Sequence, residues 1–537
     1  METLSDAAIP LCSDSLAQAH TDEPIGKLDP AKCSAPVQLG FFFDGTQNNK
    51  DRDIKKYSHS NIARLYDSFP ERRLAGLYKT YIPGVGTVFP EIGDADESGA
   101  GSAFGIGCEA RVLYALLRII DQVHFYATGR TLVGADEIRE LCKAPRFFAW
   151  DSKERKSLHN SAGGTKFLSL KVEMLRAALE SPKSRRISEC VVDVFGFSRG
   201  AAEARVFCSW LTKLVNDKEF AGVPFRIRFL GIFDTVASAG FWNSLGNPST
   251  TDGHSGWASP EFLRVPELVE NCAHFIAMHE LRKNFPLDQI NVAGRRGFVQ
   301  VAFPGSHSDV GGGYAIGELG ISAPPLGPQG EAFKLSQIPL NQMMKCAIAS
   351  GVPLERPPGL EFQYQISPVL KEAYDTFIRE SGAGARSMRD WMQPYLNWRW
   401  QIRNNFASTK QMTNSNSEDK ILLRLSNAKL IQDAESIIEV GDVPKARKYV
   451  DMVVSRKAPA EWSRFTPARD EKIKYFDKEA PLVLHEARFA PTVSPALANF
   501  FDHFVHDSFA GFSRTLTEIT GYWRYRKIFN GDSKPMF

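Results

Sequence analysis

Gly196-Phe197-Ser198-Arg199-Gly200 sets one serine between the apolar run Cys190-Val191-Val192-Asp193-Val194-Phe195 and the small-residue stretch Ala201-Ala202-Glu203-Ala204. A serine so placed between a strand and a helix has the build of a nucleophile elbow, a sharp turn that lifts the hydroxyl above the sheet edge. The flanking residues without side chains let neighbouring chain pass close. A serine hydroxyl is a poor nucleophile until an imidazole takes its proton, and the imidazole needs a carboxylate to hold its tautomer and stabilise its charge. Where such an elbow carries the serine, the acid and then the histidine follow it in the chain, each just past a later strand. Asp234 ends the run Phe229-Leu230-Gly231-Ile232-Phe233, and His307 follows the run from Val299 to Ser306. The expected constellation is Ser198, Asp234 and His307. His254, His274 and His279 compete for the base, and Asp252, in the polar run Pro248 to His254, is the alternative acid.

Attack on an ester carbonyl also needs two donors aimed at the developing oxyanion. One is the backbone amide of Arg199, directly after the serine. The second is expected from the early loop Asp44-Gly45-Thr46-Gln47-Asn48-Asn49, through the amide of Gly45 or Thr46. Asp309, two residues from His307, is too close to orient that ring and reads as the organiser of the turn Gly311-Gly312-Gly313. Phe43-Asp44-Gly45-Thr46 is also similar to the Asp-x-Asp-Gly-Thr loop of aspartyl-phosphate phosphatases. Phe42 stands where that chemistry needs its aspartate, so magnesium-dependent phosphoryl transfer is set aside, and Asp44 is kept as a supporting loop residue. A hard-metal site from Asp44, His307 and Asp309 is the remaining metal reading, and no metal or cofactor is expected.

The elements that must position these residues alternate. Strands are expected over 37–43, 77–82, 186–195, 225–233 and 297–303, and helices over 61–69 (capped by Ser60), 108–127, 201–215 and 274–285. Such alternation implies a mainly parallel sheet flanked by helices, with chemistry at the carboxyl ends of the strands. Beyond about residue 330 the segments 335–350, 368–380, 418–439 and 497–525 read mostly as helices. The expected division is an N-terminal arm over 1–34, a catalytic domain over 35–330 and a mainly helical region over 331–537, with the boundary in the Pro/Gly-rich run 322–330. Phe500 to Phe509 and Tyr522 to Phe529 pair aromatics with polar or cationic residues, so this last region is a candidate for membrane-surface contact.

The chain's 537 residues, 43% hydrophobic and 24% charged, carry a formal net charge of +3 with no block of one sign, which gives nucleic-acid binding no support. Its 8 cysteines are scattered without metal-ligand spacing and read as reduced thiols made in the cytoplasm. Met1-Glu2-Thr3-Leu4-Ser5-Asp6 is acidic where a signal peptide is basic. The apolar segment 108–127 carries Glu109, Arg111, Arg118 and Asp121, which marks a helix of a soluble protein and excludes a membrane span.

Taken together, Phe42 to Asn48, Gly196 to Ala202, Phe233-Asp234-Thr235-Val236 and Phe303 to Gly313 resemble the α/β-hydrolase family that contains type VI secretion phospholipase effectors. The resemblance covers residues 37 to about 315. It implies Ser198, Asp234 and His307 as a triad, a membrane glycerophospholipid as substrate, and a lysophospholipid and a fatty acid as products. It also implies injection into a target cell as a toxin, a secretion spike protein as delivery partner and a cognate immunity protein in the producing cell. The rival readings are a soluble carboxylesterase or thioesterase, and a non-catalytic secretion or interaction module on a hydrolase fold.

Overall fold

Phe41, Phe42 and Phe43 are apolar toward both faces, the pattern of a strand buried between two helical layers. In a computed structural model, which describes residues 9–10, 34–94, 107–143, 164–237, 256–322, 327–382, 385–440, 479–510 and 521–529, they close strand β1 (Ser34–Phe43). The other strands of the main sheet are β2 (Leu77–Ile82), β3 (Arg186–Phe197), β4 (Val223–Phe233), β5 (Val269–Ala277) and β6 (Phe298–Phe303). They lie in the order β2-β1-β3-β4-β5-β6, every neighbouring pair parallel. The chain leaves β1 toward one edge and β3 toward the other, so a crevice opens past their carboxyl ends.

Alternate side chains feed two cores. Phe41, Phe43, Val192, Val194 and Ile227 pack on helices α2 (Cys108–Thr128), α3 (Gly164–Leu179) and α4 (Arg199–Thr212). Phe42, Phe195, Phe229 and Phe275 pack on α1 (Asn61–Ser68) and α6 (Gln337–Ala349). The second face is an aromatic row, with Phe42 stacked on Phe195 at 5.1 Å and Phe195 beside Phe229 at 5.6 Å. Buried rings of this kind supply the largest hydrophobic increments per residue and keep the strand ends from shifting. Ser60 caps α1 as expected, its side chain accepting from the Ala63 amide.

Two expected helices are corrected. Residues 274–285 do not form a helix: 269–277 are β5, and an irregular segment follows. The strand is buried on both faces, so its apolar residues do not alternate, and a short continuous apolar run cannot be told from a helix by period alone. Among the described residues of 497–525 only α11 (Pro495–Phe504) is helical; 505–510 and 521–525 are not, and 521–529 run as a strap ending in the two-residue strand Ile528–Phe529, which pairs in parallel with Leu287–Asp288. Helices α8 (Met388–Ile402) and α10 (Ala480–Phe489) escaped the sequence reading.

Together with α7 (Pro368–Ser381), these helices bury one apolar cluster against Ile276, Met278 and Leu287 at the β5/β6 edge of the sheet. Phe500, Phe501, Phe509, Tyr522 and Trp523 are buried there, and Arg524 and Arg526 with them. These residues, expected at a membrane surface, are turned inward and cover the edge of the hydrolase sheet, while Lys527 is exposed. Among the described residues no helix is long and apolar enough to cross a membrane.

Candidate active site

Parallel register decides which side chains meet. Phe197 of β3 lies opposite Phe233 of β4, and Phe233 opposite Phe275 of β5. Ser198 and Asp234 therefore leave adjacent strands at the same level. The Ser198 amide donates to the Phe233 carbonyl at 3.0 Å, and the Val236 amide donates to the Ser198 carbonyl at 3.2 Å. Ser198 itself has φ 58° and ψ −124°, a strained conformation that turns strand into helix within one residue. Both flanking glycines are sterically required. A Cβ at Gly196 would lie 2.5 Å from the Gly200 carbonyl oxygen, and one at Gly200 would lie 2.3 Å from that of Asp44.

His307 opens the short helix α5 (His307–Gly311) just past β6. Its ring lies against the Phe197 ring at 4.6 Å, beside the serine, and against Phe285 at 4.9 Å. Nδ1 meets Asp234 Oδ2 at 2.5 Å, and the His307 backbone amide donates to Glu280 Oε2 at 3.2 Å. The structure thus brings Ser198, Asp234 and His307 to one rim. Burial pushes the imidazole pKa down; the Asp234 carboxylate opposes this without cancelling it, so the ring rests below the usual histidine range. Burial would push Asp234 up, but Arg526 and His307 outweigh it and hold the carboxyl well below the usual range.

Asp309 is bound at the start of α5. Its Oδ2 accepts from the Ser306 amide and hydroxyl, each at 2.9 Å, and caps α5. It also holds His506, Nδ1 to Oδ1 at 2.6 Å, so His506 belongs to a structural pair. In the early loop, the Gly45 amide donates to the Asp44 side chain at 2.7 Å, which takes Gly45 out of the expected oxyanion role. Among the described residues, the amides of Thr46 and Arg199 donate to no other group, and Arg199 Nε reaches Thr46 Oγ1 at 2.5 Å. Asp44 is buried; burial, against the hydrogen bonds from Ser60, Tyr81 and Gly45, raises its pKa to about 6.

Asp252 and His254 lie outside the described residues. His274 sits within β5, Nδ1 on Gln300 and Nε2 on Thr235, and His279 Nδ1 accepts from the Gly305 amide at 2.9 Å. Both are structural. The sequence reading missed the role of Arg526, whose guanidinium grips both oxygens of Asp234 at 2.6 and 2.7 Å. Its only signal was an arginine in an aromatic segment 292 residues away.

Fold, elbow and a carboxylate–imidazole pair past the ends of β4 and β6 define an α/β-hydrolase. The chain belongs to the family of type VI secretion phospholipase effectors: the model described as "T6SS, Phospholipase effector Tle1-like, catalytic domain" matches residues 38–216 and 211–346, more than half of its length. It is a phospholipase effector of that class. An uncharacterized protein from Pseudomonas aeruginosa is similar in fold, with a TM-score of 0.68 and 23% identity over 93% of this chain and 80% of that one. A Tle1 effector bound to the VgrG spike aligns with a TM-score of 0.36 and 17% identity, over 69% of this chain and 84% of that one. No curated protein matches the chain.

Proposed function

We propose that the chain is a serine phospholipase of the A type, cleaving acyl esters of membrane glycerophospholipids with Ser198 as nucleophile, His307 as base and Asp234 as orienting acid. One observation carries the reading: a buried imidazole, held through Nδ1 by the carboxylate at the end of β4, lies against the ring of Phe197, the residue directly before the strained serine at the end of β3. The Nδ1 contact fixes the tautomer that leaves Nε2 unprotonated and able to accept the serine proton. Ser198 Oγ attacks the acyl carbon, its proton passes to Nε2, and the oxyanion accepts from the amides of Arg199 and Thr46. The leaving lysophospholipid oxygen takes the proton back, and water then releases the fatty acid from Ser198 by the same relay.

Membership of the effector family supports type VI delivery into a target cell, a spike protein as carrier and an immunity protein in the producer. We also read 35–330 as the catalytic domain and 331–537 as a helical region that packs against it. The test is hydrolysis of position-labelled phospholipid vesicles. Ser198→Ala and His307→Ala should each lose about 10³-fold or more, and Asp234→Asn about 10³–10⁴-fold, while Asp252→Asn stays near wild type. Full hydrolysis by Ser198→Ala would overturn the mechanism. Stoichiometric labelling of Ser198 by a fluorophosphonate separates an active enzyme from a non-catalytic module.

A further inference from the structure

The Asp234 carboxylate, fully buried at the end of β4, is saturated by donors. Oδ1 accepts from the Ala277 amide at 2.8 Å and Arg526 Nη1 at 2.6 Å, while Oδ2 meets Arg526 Nη2 at 2.7 Å as well as His307 Nδ1. A two-toothed guanidinium grip fixes the plane of a carboxylate as no single donor does. Arg526 is itself fixed: Nε donates to the Phe285 carbonyl at 2.7 Å, and Nη1 also reaches the Ala277 carbonyl at 3.2 Å. The strap that carries it is stitched along 281–289. Arg524 Nη2 donates to the Leu281 carbonyl, the Leu287 amide to the Lys527 carbonyl, and the Gln289 amide to the Phe529 carbonyl, at 2.9, 2.9 and 3.0 Å. This same stretch, with Glu280 at its head, supplies the rear wall of His307.

We propose that Arg526 is a positioning residue of the hydrolytic centre, and that the C-terminal strap 521–529 assembles the Asp234–His307 pair by setting the plane of the carboxylate and offsetting its charge. The inference rests on the triad reading above. With its charge partly balanced, Asp234 still orients the ring but favours the imidazolium less, which keeps the base unprotonated. The charged groups facing His307 are Asp234 from β4 and Glu280 and Arg282 from the segment after β5; facing Asp234 are His307 and, from the strap, Arg526, with the neutral His274 of β5 beside them. Of these, only Arg526 belongs to the distal end of the chain.

The test uses the full chain with Arg526→Gln and Arg526→Lys. The His307 imidazole is titrated by NMR in a Ser198→Ala background, which needs no catalysis, and the acid limb of kcat/KM is followed in the Ser198 protein. In Arg526→Gln the His307 midpoint should rise by about one pH unit, with the acid limb moving alongside it and KM little changed. Arg526→Lys, which keeps the charge but loses the fork, should hold the midpoint near wild type and lower kcat by roughly tenfold. A folded Arg526→Gln protein with the wild-type His307 midpoint overturns the proposal. Should that variant not fold, Arg526→Lys turning over at the wild-type rate overturns it. Retained hydrolysis in Ser198→Ala would instead sink the triad while leaving the NMR result to judge Arg526.

Discussion

At the scale of the residue, the centre is built from groups held in states they would not adopt in water. Ser198, at φ 58°, and Asp234, at φ 42°, both occupy backbone conformations that cost of the order of 1–3 kcal/mol, balanced by the packing around them. Burial keeps His307 neutral below the usual imidazole range, and a general base works in its unprotonated form. Activity should therefore persist below pH 6.5, the ordinary histidine value, and the acid limb of kcat/KM measured on micellar substrate checks this. A limb at or above that value would contradict the geometry. Glu203, one turn into α4, is fully buried beside the Cys108 thiol, and burial raises its pKa to about 8. The folded state keeps a proton there that the unfolded state releases above about 4.5, so this group costs stability progressively from pH 4.5 to 8. Glu203→Met should gain stability relative to wild type by about 1 kcal/mol per pH unit across that window, read by urea unfolding at pH 5 and pH 7.5. An unchanged difference between the two would show that the carboxyl is not the source.

At the scale of the element, the two glycines of the elbow are spacers. Gly200 begins α4 directly beneath the loop leaving β1, with the carbonyl oxygens of Phe43 and Asp44 2.4 and 2.3 Å from where a Cβ would stand. Gly200→Ala must push that loop away, and with it the Thr46 amide proposed as an oxyanion donor. The expected outcome is a loss of about 2–4 kcal/mol of stability together with a kcat lowered at least about tenfold. A crystal structure of the variant with the loop unmoved would refute this account. Strand β5 shows the opposite case, an element that escaped its own sequence. Val269 to Ala277 carries His274 and Asn271 among apolar residues without alternation, because both faces are largely covered and because the buried histidine and half-buried asparagine are satisfied by neighbouring groups: Gln300, Thr235 and the Arg228 carbonyl.

At the scale of the whole molecule, folding buries groups that resist acid. His59, His274 and His279 are each lowered to about 3, by burial first, so the unfolded chain takes up three protons near pH 6.5 that the folded protein refuses. Stability therefore falls as pH drops through that window. Asp44 and Glu203, with raised values, offset two of the three between about pH 4.5 and 6 by binding protons in the folded state. That offset ends once the unfolded chain has protonated its own carboxyls, and Glu280, lowered to about 2 chiefly by Arg282 against burial, then adds to the loss. The fall should be shallow from pH 6 to 5 and steepen below pH 4 to about 4 kcal/mol per pH unit. Urea midpoints at pH 6, 5, 4 and 3.5 test this, and a uniform slope would contradict it.

The sequence by itself determined the turn that carries Ser198, the placing of Asp234 and His307 after later strands, and the parallel α/β layout. These depend on local patterns: a glycine-flanked serine between a strand and a helix, and polar residues directly after apolar runs. Tertiary structure alone decided that Gly45's amide is spent on Asp44 while Thr46's is not, that residues 274–277 complete a strand, and that the aromatic C-terminus faces inward. It alone brought Arg526 to Asp234. A guanidinium bound to a carboxylate nearly three hundred residues earlier leaves no periodicity, spacing or composition to read, since the contact exists only once the sheet edge is covered.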